Sequence, residues 1–257
     1  MGEDVSEYEE LLKKIKKAFH ENFMENGLPC MSKIGTLREE KNHEEQPVIK
    51  AITQTSVSIA LCYGLYEGEE ERQKLADCLA DLIHKNDDRL ATGFMGTPHI
   101  LHALSENGYA DVAYTLLFQE KMPSWLYSVK HGATTMWERW NCIKEDGTFS
   151  NVSMTSFNHY AYGAVADWLY GDVAGIKILP DGAGYSHISI APAPSEKLGF
   201  VNCKVDTVKG AVISNWYYKK DHIHYEITVP NGTVAELSLP DGVKKTLHSG
   251  SYLTTKI

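Results

Sequence analysis

The amino-acid sequence predicts a mainly α-helical region followed by a C-terminal all-β domain, the latter a small antiparallel sandwich or sheet. Three observations carry this expectation. Up to Tyr170, apolar residues recur at three- and four-residue steps. From Tyr185 onward they alternate or run β-branched. Between the two, Pro180, Asp181, Gly182 and Gly184 crowd a short stretch, as at a domain boundary. The expected division is residues 1–174 and 175–257.

Taken in order, Tyr8, Leu11, Leu12, Ile15, Phe19 and Phe23 define an amphipathic helix over Ser6 to Phe23. The polar run Ser32 to Glu45 reads as a loop, and Pro47 discourages helix just before it. Helical spacing returns over Thr53 to Tyr66 and over Glu69 to His84, where Leu75, Leu79, Leu82 and Ile83 share a face. With Gly68 near the turn, the two make a helical hairpin. Thr97 is a candidate N-cap, with Pro98 in the first turn of a helix running through Leu104. Gly108 ends that helix, Asp111 to Gln119 supplies its antiparallel neighbour, and Pro123 stops the pair. Phe157, Tyr160, Ala161, Ala164, Trp168 and Leu169 then predict a deeply buried helix over Ser153 to Tyr170. The successive pairs imply a repeated helical unit. Strands are expected over Tyr185 to Ala191, Phe200 to Val205, Ala211 to Tyr218, His222 to Val229 and Val234 to Leu239, with hairpin turns at Asn231-Gly232 and Asp241-Gly242.

Composition narrows the function classes. A net charge of −9 with no basic stripe argues against nucleic acid as a partner and suits a neutral ligand. No apolar run approaches a membrane span, and Met1 to Lys17 lacks the apolar centre of a secretory signal. Five scattered cysteines without a CxxC pair suggest a reducing, cytoplasmic setting. The histidines, including His20, His43 and His84, never fall at metal-ligand spacing; His99 and His102 lack a third ligand. No metal or other cofactor is therefore expected.

The most informative stretch is Gly132 to Trp140, which sets one carboxylate, Glu138, between the indoles of Trp137 and Trp140. Flat apolar walls desolvate a carboxylate and strengthen it as a base, while indole faces pack against the C–H faces of a sugar. Carbohydrate hydrolysis is the reading this suggests. The plainer alternative is that the two indoles form one core-facing helical edge, with Glu138 and Arg139 a solvated ion pair.

Five motifs occur in order: Thr92-Gly93-Phe94-Met95-Gly96-Thr97-Pro98, Ala103 to Tyr109, Pro123-Ser124-Trp125, Gly132 to Trp140, and Ser156-Phe157-Asn158-His159-Tyr160-Ala161-Tyr162-Gly163-Ala164. Together they resemble the α-L-rhamnosidases of glycoside hydrolase family 78. The resemblance implies an (α/α)6 barrel followed by a C-terminal β-sandwich, and hydrolysis of terminal α-L-rhamnose from glycosides with inversion at the anomeric carbon. It further implies Glu138 as the general base on water and His159 as a rhamnose-binding residue, with Trp125, Trp137 and Trp140 as candidate substrate contacts.

An inverting hydrolase also needs a general acid roughly 6.5–9.5 Å from its base, to leave room for water. In the family that acid lies in an acidic motif upstream of the region matched here, and the motif is not found in this sequence. Asp87-Asp88-Arg89 is only superficially similar. Six or seven helices can be counted where a closed double ring needs twelve, so the chain resembles a C-terminal fragment with a partial toroid. Exposed apolar helix faces would then favour self-association or a complementing N-terminal half. Leu126 stands where the resemblance leads one to expect glycine. Two further readings stay open: a non-catalytic carbohydrate-binding or interaction module, and a polysaccharide lyase on an α/α-toroid.

Overall fold

The computed structural model describes residues 4–30, 52–150, 155–220 and 222–256. The loop expected over Ser32 to Glu45, the bend before Pro47, His43, and the start of the helix expected from Ser153 lie outside those residues. The chain divides into two compact units, 1–162 and 163–257. This division falls earlier in the sequence than the expected one.

Unit 1 is built from helices. Helix α1 (Ser6–Phe23) matches its expected bounds and leads through a two-residue-per-strand hairpin, β1 (Met24–Glu25) and β2 (Leu28–Pro29). None of its residues is buried, and Tyr8, Leu11, Leu12 and Ile15 are exposed. Its C-terminal end is tied to the next hairpin by His20 Nε2 on Glu71 Oε1 at 3.0 Å. Helix α2 (Gln54–Cys62) starts on a capping box: the Thr53 hydroxyl accepts from Ser56 N–H, and the Ser56 hydroxyl accepts from Thr53 N–H. Helix α3 (Gly68–His84) buries Leu75, Leu79 and Ile83, the face its spacing predicts. Helices α4 (Thr97–Ser105) and α5 (Ala110–Leu117) form the second hairpin, and α2 packs on both α3 and α4.

Thr97 is the first helical residue rather than the cap, because its hydroxyl is already engaged with that of Thr92 at 2.9 Å. A short helix that the periodicity missed, α6 (Trp125–Lys130), is capped by Ser124, whose hydroxyl accepts from Tyr127 N–H at 3.1 Å. The long helix expected through Tyr170 is not formed. Residues 155–160 are irregular, and a 3-10 turn (Ala161–Ala164), a four-residue helix α7 (Val165–Trp168) and a π turn (Leu169–Val173) follow. Ring packing around His159, described below, replaces the helix where its aromatic pattern had suggested one.

Unit 2 holds two four-stranded sheets. One has the order β10 (Gly250–Lys256), β7 (His222–Val229), β6 (Gly210–Lys219), β5 (Phe200–Thr207) and is wholly antiparallel. The other runs β3 (Ile176–Ile178), β4 (His187–Ile190), β8 (Val234–Ser238), β9 (Lys244–Leu247). Alternating residues such as Val212, Ser214 and Trp216, and Ile188 and Ile190, are buried, so each sheet has one covered face. Within this antiparallel domain one seam differs, for β4 and β8 pair in parallel. Asn231-Gly232 correspondingly closes no hairpin: it carries the chain from β7 in one sheet to β8 in the other, whereas Asp241-Gly242 does join the paired β8 and β9. Turn chemistry sets a positive φ, 77° at Gly232, but it does not choose the strand partner. The main-chain carbonyls of Val173 and Ala174 accept from Trp216 Nε1 (2.8 Å) and Ser214 Oγ (2.6 Å), which anchors the end of the π turn to β6.

Candidate active site

The motif stretch is held by main-chain lacing rather than by a helix or sheet. Residues 135–138 and 156–159 lie side by side. Glu138 N–H donates to the Ser156 carbonyl at 2.9 Å, and His159 N–H donates to the Met136 carbonyl at 2.8 Å. Ser156 N–H in turn donates to Glu138 Oε2 at 2.8 Å, and the Thr135 hydroxyl donates to the Phe157 carbonyl. The carboxylate is thus fixed by the same segment that carries the imidazole. Glu138 is half-buried; among the described residues its Oε1 has no hydrogen-bond partner and the side chain enters no ion pair. The solvated Glu138–Arg139 bridge is therefore not formed.

The indoles do not wall the carboxylate as their spacing suggested. Trp137 is 3% exposed and packs with Tyr127 and Cys142, meeting Phe157 edge-on at 5.5 Å. Trp140 stacks on Tyr162 at 3.8 Å and 8°, meets Trp125 edge-on at 5.4 Å, and donates Nε1–H to the Thr92 carbonyl at 3.1 Å. Trp125 is buried too and donates its Nε1–H to the Tyr162 carbonyl at 2.9 Å. A buried indole needs a partner for its N–H. Here the main chain supplies it twice, so Trp125 and Trp140 bind the motifs to one another from behind.

His159 is the residue these rings lead to. Its imidazole stacks on Phe94 at 4.7 Å and 11°, and on Tyr160 at 5.2 Å and 9°. Phe94 leans on Tyr162 at 5.5 Å. A continuous series of rings therefore runs from buried Trp125 through Trp140, Tyr162 and Phe94 to His159 and exposed Tyr160. Burial pushes the Tyr162 phenol up, with Cys142 and Glu138 adding to the push and Arg139 opposing it, so its hydroxyl stays protonated at neutral pH. His159 Nδ1 accepts from Ala161 N–H at 3.3 Å, so the neutral ring carries its proton on Nε2. The Phe94 turn is tight for a stated reason. A Cβ on Gly96 would meet Thr55 Oγ1 and lie 2.8 Å from Thr92 Cγ2.

Phe94, Tyr160, Tyr162 and Ser156 received no role from sequence reasoning. The signal was present in the first and last motifs, but ring stacking between residues 94 and 159 leaves no periodic trace. Asp87 and Asp88 occupy a surface turn with φ of 55° at each, paired to Arg89 at 2.8 Å and His84 at 2.7 Å respectively. His99 meets Tyr63 edge-on at 5.3 Å, and burial, then His102, pulls its pKa down.

Residues 1–173 match the family described as bacterial α-L-rhamnosidase six-hairpin glycosidase domain, and residues 175–253 match the bacterial α-L-rhamnosidase C-terminal domain. The chain belongs to the bacterial α-L-rhamnosidase family. An α-L-rhamnosidase of Formosa agariphila is 39% identical over 238 residues, 93% of this chain and 23% of that protein. Two solved structures share the fold. The Streptomyces avermitilis α-L-rhamnosidase complexed with L-rhamnose is 33% identical with a TM-score of 0.84, covering 99% of this chain and 24% of that one. The native Aspergillus terreus enzyme is 32% identical, also with a TM-score of 0.84, covering 98% and 27%. The chain thus spans about a quarter of the length of these relatives, and its helical part is a portion of a six-hairpin glycosidase domain.

Proposed function

We propose that this chain carries the water-activating side of an inverting α-L-rhamnoside hydrolysis site, with Glu138 the general base and His159 a rhamnose-binding donor. The helical part, 1–174, holds both residues, and 175–257 is its accompanying β-domain. The observation that carries this reading is the lacing: Ser156 N–H on Glu138 Oε2 and His159 N–H on the Met136 carbonyl bring the two side chains onto adjoining segments. A general base must be held so that one lone pair faces water. With Oε2 occupied, Oε1 is the oxygen free to take the proton. His159 offers Nε2–H to a sugar hydroxyl, the role expected of a neutral imidazole whose other nitrogen already accepts. The L-rhamnose in the Streptomyces avermitilis relative supports the choice of sugar. Trp125, Trp137 and Trp140 act from behind the site rather than as sugar platforms.

The matching acid is given no residue here, since Asp87 and Asp88 are tied into their surface turn. The chain alone is therefore expected to bind L-rhamnose and to turn over an aryl α-L-rhamnoside little or not at all. Calorimetric titration of L-rhamnose into the wild-type chain and into His159→Ala tests the first part, and equal affinities would remove His159 from the site. Release of the aryl alcohol tests the second. Turnover that persists unchanged in Glu138→Gln would remove Glu138 from the chemistry.

We further propose self-association through α1. Its exposed apolar line Tyr8, Leu11, Leu12 and Ile15 is flanked by Glu7, Glu9 and Glu10 in the first half and Lys13, Lys14, Lys16 and Lys17 in the second. A second copy laid antiparallel sets acid against base along the whole contact, the self-complementary arrangement of a two-fold interface. Light scattering on the eluting protein should give a dimer that Leu11→Glu dissociates. A wild-type monomer would overturn this and leave the face to helices of a complementing segment.

A further inference from the structure

His159 would lose most of its value as a donor if its ring were free to turn. An imidazole that rotates about χ2 exchanges which nitrogen faces the ligand, and its tautomer follows the hydrogen bond that the other nitrogen makes. In this molecule the ring is not free, being stacked against two other rings, Phe94 and Tyr160. We infer that Phe94 and Tyr160 are positioning residues that clamp the His159 imidazole so that Nδ1 keeps the Ala161 N–H and Nε2–H is presented outward.

The two jaws differ in how they are anchored. Phe94 sits on the Thr92–Pro98 turn, closed by Gly96 N–H and Thr97 N–H on the Gly93 carbonyl at 3.2 and 3.0 Å. The contact between Thr92 and Thr97 hydroxyls and the Trp140 indole on the Thr92 carbonyl fix the same turn. Phe94 also rests on Tyr162, which stacks on Trp140. The imidazole is thereby referenced to an indole two positions from Glu138, so base and donor share one frame. Tyr160 is the outer jaw. At 87% exposure it buries little area of its own, and among the described residues its ring contact is with His159 alone. What Tyr160 contributes in this arrangement is its stack on the imidazole rather than burial in the core.

The tautomer can be read without any ligand, by nitrogen chemical shifts of the imidazole in chain labelled with ¹⁵N-histidine. The wild-type ring should show the Nε2–H form. Phe94→Ala and Tyr160→Ala should each move it toward a mixture of the two forms, and Phe94→Tyr should restore it. Tyr160→Ala should leave the thermal midpoint unchanged, which keeps the test open if Phe94→Ala folds poorly. L-rhamnose affinity, whose use rests on the site proposed above, should fall roughly three- to tenfold in Phe94→Ala and recover in Phe94→Tyr. A mixed wild-type ring, or shifts identical in the wild type and Tyr160→Ala, would overturn the clamp. Tautomer shifts as expected, with no L-rhamnose binding by the wild type, would uphold the clamp and sink the rhamnose reading instead.

Discussion

The two helical hairpins and the segment from Gly132 to Tyr162 solve the same problem in opposite ways. In α2 to α5 the main chain satisfies itself, and side chains such as Leu75, Leu79, Ile83, Ile100 and Leu104 are left to fill a core. Around Glu138 few main-chain groups lie in a regular element. The bonds that hold this segment are made one at a time, by Ser156, by Met136, by Thr135, or by an indole reaching Thr92 or Tyr162. A hairpin loses one turn and keeps its plan, whereas the laced segment depends on specific partners. That dependence is what lets it hold a carboxylate and an imidazole at set angles on an irregular chain.

The largest effect should come from the inner end of the ring series. Trp140→Ala removes the Tyr162 stack, the Trp125 edge contact and the bond to the Thr92 carbonyl together, and should cost about 3–5 kcal/mol in chemical denaturation. Tyr160→Ala, at the outer end, should change stability by no more than about 0.5 kcal/mol. If the two substitutions cost the same, the rings are not graded from core to surface and the contrast with the hairpins collapses.

What was legible in the sequence follows the same line. The bounds of α1, the buried face of α3 and the strand His222–Val229 could be read because period 3.6 and period 2 are written into neighbouring residues. The motif around Glu138 was also visible, as a resemblance. Its meaning was only half visible. Trp137 and Trp140 read as walls for the acid, yet their neighbours are Tyr127, Cys142, Tyr162 and Trp125, contacts across the chain that spacing does not encode. The aromatic run Phe157 to Leu169 imitated a buried helix for a related reason. Phe157 packs on Trp137 and Phe149, His159 on Phe94, and Tyr162 on Trp140, each ring answering a different partner.

Smaller substitutions sharpen the comparison. Gly96→Ala should cost about 1–3 kcal/mol, through the clash with Thr55 and Thr92 rather than through the backbone, whose φ is an ordinary −96°. Adding Thr55→Ala, which removes the hydroxyl and methyl, should recover part of that loss; no recovery would place the cost elsewhere. Glu138→Ala leaves the Ser156 N–H without its acceptor and should cost about 1 kcal/mol, while Glu138→Gln keeps an oxygen there and should cost less. Equal losses in the two would mean that the lacing at Glu138 is not what steadies the segment.

The mildest test contrasts two histidines. His159 is held by ring faces, whereas His187 in unit 2 lies between carboxylates, with Nδ1 on Asp181 Oδ1 at 2.9 Å and Nε2 on Glu236 at 3.4 Å. The hydrogen bond that His187 donates to Asp181, with Glu236 helping, raises His187 above its ordinary 6.5 despite some desolvation, and the same bond lowers Asp181 below 3.8. A raised histidine binds its proton more tightly folded than unfolded, so its contribution is full below 6.5 and fades as pH climbs through the raised value. A lowered aspartate contributes above 3.8 and fades as pH falls through its lowered value. The clasp is therefore strongest between those limits, near pH about 5, and weaker near pH about 8. Both groups are solvent-accessible, so salt should shrink the effect. Thermal midpoints of the wild type, compared with His187→Gln at the two pH values, read it directly. The difference between the proteins should be larger at the lower pH; a difference that grows toward pH 8 would mean that His187 works in its neutral form, by shape rather than by charge.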